Sequence, residues 1–275
     1  MRNIKLLLMV LPFCASHNLY AQLVRKPVSS SYAGVGAYSA THSDVFSVLS
    51  NTAALTKVKQ FSAGVYGEQR FMLKELMHYL GAFALPTQSG NFAVTTAYQG
   101  GSYMNDYQIG LAYARSLGKT IDIGVRFNYN GLKVNGYGNA SAIGMELGTV
   151  LHFTEKLHGG LQVVNPVSSK FGINKQEKFA SVYSLGIGYE ASEKFFVSTA
   201  FVKEEDKANI VQADVQYKIL PFLQLRGGVS TGTTSYWLGV GLGWKNIRLD
   251  IVSGYHNQLG LSPGLMIIYE NNHQP

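Results

Sequence analysis

The sequence predicts an all-β fold: a transmembrane antiparallel β-barrel of about fourteen strands with a small N-terminal hatch. Three observations lead there. Segment after segment alternates apolar and polar residues. Charged residues make up only 14% of the chain, against roughly 25% in soluble domains. The connections between the alternating segments are by turns short and long.

The alternation is clearest in the middle of the chain. Ile121, Ile123, Val125, Phe127 and Tyr129 share one face, and Asp122, Gly124, Arg126, Asn128 and Asn130 share the other. A soluble sandwich also has period two. Here the apolar face ends in aromatics, and the opposite face carries charge. Ile143, Met145, Leu147, Leu151 and Phe153 repeat the pattern, as do Tyr107, Ile109, Leu111 and Tyr113. Late in the chain, Tyr236, Leu238, Val240, Leu242 and Trp244 oppose Gly239, Gly241 and Gly243. The glycines are expected to leave room for a plug.

Reading every such run places strands at 59–69, 77–86, 91–100, 105–116, 120–131, 141–153, 157–164, 181–190, 195–203, 209–219, 222–230, 235–244, 246–255 and 262–269. Longer connections are expected at 132–140 and 165–180, among others. The second of these, with Pro166, Lys170, Lys175 and Lys178, is the longest. Short turns at one end and longer loops at the other suit a barrel with both termini in the periplasm.

The N-terminus supplies the address. Arg2 and Lys5 precede an apolar run from Leu6 to Phe13, and Leu19-Tyr20-Ala21 then precedes Gln22. This is a secretory signal with cleavage near Ala21, giving a signal peptide over residues 1–21. Its apolar run is too short to span a bilayer. Cys14 is the single cysteine and falls in the removed segment, so no disulfide or thiolate site is expected. The expected location is the outer membrane of a Gram-negative cell, and the barrel occupies residues 58–275.

Residues 22–57 do not alternate and read as the hatch. Ser43 or Asp44 can cap a helical turn over 45–49, and Asn51 can cap 52–55. Gly34, Gly36, Ala37, Ala53 and Ala54 would allow close approach to the wall. Gly34-Val35-Gly36-Ala37-Tyr38-Ser39 is close to a dinucleotide fingerprint, but Ser39 stands where the third glycine belongs and no βαβ unit surrounds it.

The inward parity collects both charge signs: Asp122, Arg126, Glu146, Asp214, Lys218, Arg226, Arg248 and Asp250, with Asn128, Asn130, Gln216 and Gln224. Charge on the lipid face would be costly, so these belong inside. Mixed signs point to a packed, ion-paired interior and not to a one-signed filter. Asp44 is expected to meet Arg126 or Arg226. The candidate hatch and lumen residues are therefore Gly34, Gly36, Asp44, Asn51, Asp122, Arg126, Glu146, Arg226, Arg248 and Asp250.

No catalytic constellation emerges, because no serine–histidine or aspartate–histidine pair falls at an argued cross-strand position. His152 and His158 flank one short turn and read as exposed rim histidines without a third ligand. The chain carries +7, but its Lys and Arg are scattered, so no nucleic-acid face is expected. No enzyme activity, cofactor or metal is expected either.

A resemblance adds to this. Ala33-Gly34-Val35-Gly36-Ala37, then Asp44, then Asn51-Thr52-Ala53-Ala54-Leu55 resembles the hatch of the long-chain fatty-acid transporter family of outer-membrane barrels. Gly160-Leu161-Gln162-Val163-Val164-Asn165, Leu225-Arg226-Gly227-Gly228-Val229 and Arg248-Leu249-Asp250-Ile251 resemble its strand signatures. The order is closer to the PorV/PorQ-type relatives of Bacteroidota, linked to type IX secretion. Thr52 replaces the family's proline, and Val35 interrupts its glycine pair. The resemblance implies a fourteen-stranded barrel with a hatch. It also implies a structural or accessory role in a secretion or surface-assembly system, with outer-membrane lipid and other secretion or surface proteins as partners. The alternative it implies is a transporter or narrow channel for small hydrophobic molecules such as fatty acids.

Overall fold

The computed structural model describes residues 32–136, 138–167, 170–171, 177–178, 180–205, 207–232 and 236–271. The signal peptide, Cys14, residues 22–31 and Lys175 lie outside the described residues.

Fourteen antiparallel strands close into one barrel. They are β1 (Ser62–Gln69), β2 (Met77–Thr87), β3 (Gly90–Gly100), β4 (Met104–Leu117), β5 (Ile121–Val134), β6 (Gly138–His152), β7 (Leu157–Val164), β10 (Val182–Glu190), β11 (Phe195–Glu204), β12 (Ile210–Leu220), β13 (Leu223–Ser230), β14 (Tyr236–Trp244), β15 (Ile247–His256) and β16 (Gly260–Glu270). Each pairs with its sequence neighbour in the wall. β1 pairs with both β2 and β16, which closes the ring and leaves no edge. Two further short strands, β8 (Lys170–Phe171) and β9 (Glu177–Lys178), pair with each other inside the longest loop.

The outward side chains are those the alternation assigned to lipid. Leu111, Leu185, Leu238 and Ile251 are each about 60% exposed. Aromatics gather at both ends of that surface. Tyr79–Tyr98, Tyr107–Tyr129 and Tyr236–Tyr255 sit towards the long-loop end, and Phe61–Tyr269, Phe92–Tyr113 and Phe195–Tyr217 towards the short-turn end. Such paired girdles mark the two interfaces of a membrane.

One loop at the long-loop end is much shorter than the sequence suggested. β5 and β6 pair as far as Val134 and Gly138, so the connection expected over 132–140 shrinks to 135–137. The reason lies on the outer face. Gly131 interrupts the apolar parity and so reads as a strand end, but the Tyr107 ring on the neighbouring strand covers it. An aromatic laid over a cross-strand glycine restores the packing that the glycine lacks.

The described part of the N-terminal segment, residues 32–58, lies inside the ring. Asp44 caps a 3-10 turn at Val45–Leu49, and its side chain accepts from Phe46 N while Ser47 reaches back to the Asp44 backbone. Asn51 caps a second 3-10 turn at Thr52–Lys57. Both caps fall where the sequence put them. The turns are 3-10 and not α, short pieces that suit a confined lumen.

This segment shares an apolar core with the wall. Tyr32, Val45, Phe46, Val48 and Leu55 pack with Ala82, Ala84, Ala93, Ala112, Ala114, Trp237, Met266 and Ile268. The inner face of β2–β4 is thus an alanine wall, whereas β5, β6, β10, β12, β13 and β15 carry charges. Nothing in the charge-based reading distinguished these two halves of the lumen.

Candidate functional site in the lumen

The inward residues singled out from the sequence converge, and they do so on residues 32–57. Arg226 donates to Asp44 Oδ2 over 2.9 Å, and Arg248 donates to the same oxygen over 2.7 Å. Arg248 also holds Asp250 at 3.0 Å, and Tyr32 donates to Asp250 over 2.8 Å. Burial pushes the Asp44 carboxyl upward, but attraction to Arg226 and then Arg248 outweighs it and holds the group below the ordinary carboxylate range.

Of the two partners expected for Asp44, Arg226 is right and Arg126 is not. Arg126 stands opposite Glu146 in the β5–β6 register and pairs with it at 2.6 Å. The wall supplies that cation's counter-charge locally, through Nη2. Arg248, expected only as a lumen residue, supplies Asp44's second contact. Its i+2 neighbour Asp250 keeps it on the same face.

Glu146 reaches the segment through an amide. Asn128 and Gln162 donate to its two oxygens over 2.7 Å each. Gln162 in turn donates to Thr52 Oγ1 over 3.2 Å and accepts from Thr52 N over 3.1 Å. Asn51, besides its cap, donates to the Thr149 carbonyl over 3.1 Å. Asn91 Nδ2 donates to the carbonyls of Leu55 and Val58 at 2.7 and 2.8 Å. The second 3-10 turn is therefore tied to β3, β6 and β7.

At the short-turn end lies a chain of polar groups that sequence reasoning missed. Lys57 Nζ stands 2.7 Å from Asp122 Oδ2, and His152 Nε2 stands 2.7 Å from the same oxygen. His152 Nδ1 lies 2.8 Å from His158 Nδ1, and His158 Nε2 lies 3.5 Å from Glu190 Oε1. Glu190 then accepts from Ser39 Oγ at 2.6 Å and from Thr41 Oγ1 at 2.8 Å. The two histidines are accordingly not exposed rim residues: His158 is 1% exposed. Their missed partners were legible in one respect, since Asp122 and Glu190 both carry inward parity. Among the described residues, no three histidine, cysteine or acidic groups are arranged to hold a metal.

His42, next in this turn, stacks on Phe196 at 5.4 Å. Burial, with Lys218 nearby, pushes its imidazole down to about 4 despite Glu190, so it stays neutral at ordinary pH.

The glycines of the segment serve its own turn. Gly36 has a φ of +91°, and its missing Cβ lets the chain fold back onto the His42 carbonyl. Gly34 precedes it in the same turn, its carbonyl accepting from Ala37 N. The close approaches are made by glycines of the wall. A Cβ at Gly124 would meet the Thr52 carbonyl carbon at 2.6 Å, and one at Gly160 would meet the Tyr38 ring at 2.8 Å. Gly239 faces Tyr32, whereas a Cβ at Gly243 would meet only Phe222 backbone atoms, at 3.8 Å.

Outside the ring, against the alanine wall, lies an apolar cavity of about 450 Å³. Phe83, Leu85, Phe92, Leu111, Tyr113 and Phe127 stand around it, and Ala84, Ala93 and Ala112 form its floor. Leu55 and Val58 pack in one cluster with those same alanines from within. Here the unbroken β2–β4 pairing separates the lumen from the lipid-facing surface, with alanines on its inner side.

A closed fourteen-stranded barrel, belted by aromatics and filled by its own N-terminal segment, defines the class: an outer-membrane-type β-barrel. Solved structures share it. The chain is similar to "CymD monoaromatic hydrocarbon channel", with a TM-score of 0.65 and 12% identity over 90% of this chain and 98% of that one. It is similar to the Pseudomonas putida toluene transporter TodX, with a TM-score of 0.63 and 10% identity over 87% of this chain and 98% of that one. It is similar also to a Pseudomonas aeruginosa FadL homologue, with a TM-score of 0.61 and 10% identity over 87% of this chain and 96% of that one. No protein family and no curated protein matches the sequence.

Proposed function

We propose that this chain is an outer-membrane channel or transporter for small hydrophobic molecules, with residues 22–57 as its hatch and residues 1–21 as a cleaved signal peptide. The observation that carries the reading is the apolar cavity of about 450 Å³ set against the alanine wall. Its size is that of a small-molecule pocket, and its lining suits an apolar guest. The guest would pass beside the hatch along the alanine wall and reach that cavity when the β2–β4 pairing in front of it opens. The structural neighbours support the same reading, since the proteins named above are titled a hydrocarbon channel, a toluene transporter and a FadL homologue. None of these three is titled a secretion component, so the accessory role in secretion and the closer PorV/PorQ-type kinship gain no support from them. Two of these neighbours are titled a channel and a transporter, and none is titled an enzyme.

The test is uptake of radiolabelled toluene by cells making the full-length protein. Wild-type cells should take it up faster than cells lacking the protein. Val94→Trp and Leu111→Trp, which fill the cavity from its lipid side, should cut the rate severalfold while the barrel still folds. Equal uptake with and without the protein would overturn the reading.

A further inference from the structure

We propose that a polar cavity at the short-turn end, between residues 57–62 and the end of β16, binds a small zwitterion: a molecule with a primary ammonium at one end and a phosphate or carboxylate at the other. Asp44, Lys57, Lys59, Gln60, Ser62 and Glu270 line it, and its volume is about 180 Å³. At about 30 Å³ per water, that is room for a solute of a few heavy atoms. The inference goes beyond the passage of an apolar guest and does not rest on it.

The lining sorts into groups already engaged and groups still open. Asp44 is held by Arg226 and Arg248, and Lys57 by Asp122. Ser62 Oγ donates to the Gln60 carbonyl over 3.2 Å. Three groups remain. The half-buried Glu270 side chain has no hydrogen bond or ion pair among the described residues. Arg248, Arg226 and Lys218 act on it only through space. Gln60 Oε1 is buried without a partner among the described residues. The exposed Lys59 ammonium is likewise unpaired among them. A carboxylate, an amide oxygen and an ammonium are thus left over at one cavity.

The chain keeps these groups together. Glu270 stands opposite Ser62 where β16 meets β1, and Lys59 and Gln60 lie just ahead of Ser62. An incoming ammonium finds two acceptors there, Glu270 and Gln60 Oε1, and its bond to the carboxylate is charge-assisted. The anionic end finds Lys59 at the rim. A plain cation would leave Lys59 unanswered, and a plain anion would leave Glu270 so; a molecule carrying both signs answers both. Phe61 and Tyr269, the chain neighbours of Gln60 and Glu270, form a pair of the aromatic belt with ring centroids 6.4 Å apart. Such belts mark the level of lipid headgroups. A phosphoethanolamine headgroup and a free amino acid both offer the required chemistry.

The experiment is isothermal titration calorimetry on the full barrel purified in a nonionic detergent. O-Phosphoethanolamine should bind saturably. Ethanolamine and inorganic phosphate, each carrying one end alone, should bind about tenfold more weakly or worse, since each forgoes a charge-assisted contact. Glu270→Gln and Lys59→Gln should each weaken binding severalfold. Neither group holds a contact within the protein, so both variants should keep the wild-type heat-modification midpoint. Lys156→Gln, in another short turn, should bind as the wild type does. Dihexanoyl phosphatidylethanolamine and glycine tell the two sources apart: tighter binding of the lipid assigns a headgroup, and tighter binding of glycine a free solute. No saturable binding of O-phosphoethanolamine would overturn the site. So would ethanolamine or phosphate binding as tightly as the zwitterion, or unchanged affinity in both Glu270→Gln and Lys59→Gln. None of these outcomes depends on toluene uptake.

Discussion

Arg226 reaches from β13 to Asp44 of the N-terminal segment over 2.9 Å, with both side chains almost wholly buried. Arg248 meets the same carboxylate oxygen at 2.7 Å. One carboxylate thus compensates two cations. Asp44→Asn keeps a good N-cap but removes the charge that both arginines face. It should destabilise the folded barrel by roughly 3–5 kcal/mol, the usual cost of breaking a buried pair. Urea unfolding followed by tryptophan fluorescence measures it. A loss no larger than that of a surface substitution would mean that water, and not Asp44, satisfies the arginines.

The same contact sets a pH dependence. The Asp44 carboxyl is held below its ordinary value of 3.8. A depressed carboxylate adds stability that is fully present above its unfolded value and is lost as pH falls through the folded one. The segment should therefore stay latched from neutrality down through pH 4 and release only in stronger acid. Limited proteolysis of residues 32–58 across that range follows the release. In Asp44→Asn, the part of the acid sensitivity due to this group should vanish.

Gly239 and Gly243 share one face of β14 yet stand before different neighbours. A Cβ at Gly239 would run into the Tyr32 ring, and one at Gly243 would meet no atom nearer than 3.8 Å. Gly239→Ala should cost about 1–3 kcal/mol through overpacking, and Gly243→Ala should be close to neutral. The thermal midpoints of the two variants compare them directly. Equal effects would show that Tyr32 yields freely.

Much of this was legible in the sequence, and the boundary between the legible and the hidden is physical. Period two assigned Asp122, Arg126, Glu146, Arg226, Arg248 and Asp250 to the lumen, because charge cannot face lipid. Cap chemistry placed both turns, because Asp44 and Asn51 accept from backbone amides that would otherwise be orphaned. Partner choice was hidden. Arg126 and Arg226 look alike along one strand, and only the register that sets Arg126 opposite Glu146 separates them. The His152–His158 relay was hidden for the same reason, since Glu190 enters it from β10 after the longest loop. The alanine wall was visible as Ala82, Ala84, Ala93 and Ala112, but small residues say nothing alone of what packs against them.

The last prediction concerns removal of the segment that fills the lumen. Residues 33–55 are expected to act as the hatch, and deleting them leaves the strand pairing of the wall complete. The Arg126–Glu146 and Arg248–Asp250 contacts are wall-internal and survive. Arg226 and Glu190 lose their partners Asp44, Ser39 and Thr41, and the alanine wall loses Val45, Phe46 and Leu55. Water entering the opened lumen can hydrate the freed charges but not the freed apolar surface. The deletion should therefore still give a heat-modifiable barrel, with a lower midpoint than the wild type. In planar bilayers its single-channel conductance should rise, because a lumen lined by charges on β5, β6, β13 and β15 is now wet. A deletion variant that inserts and folds without any gain in conductance would show that the segment does not occlude the pore. The lumen would then be closed by the wall itself, and the hatch assignment would fall.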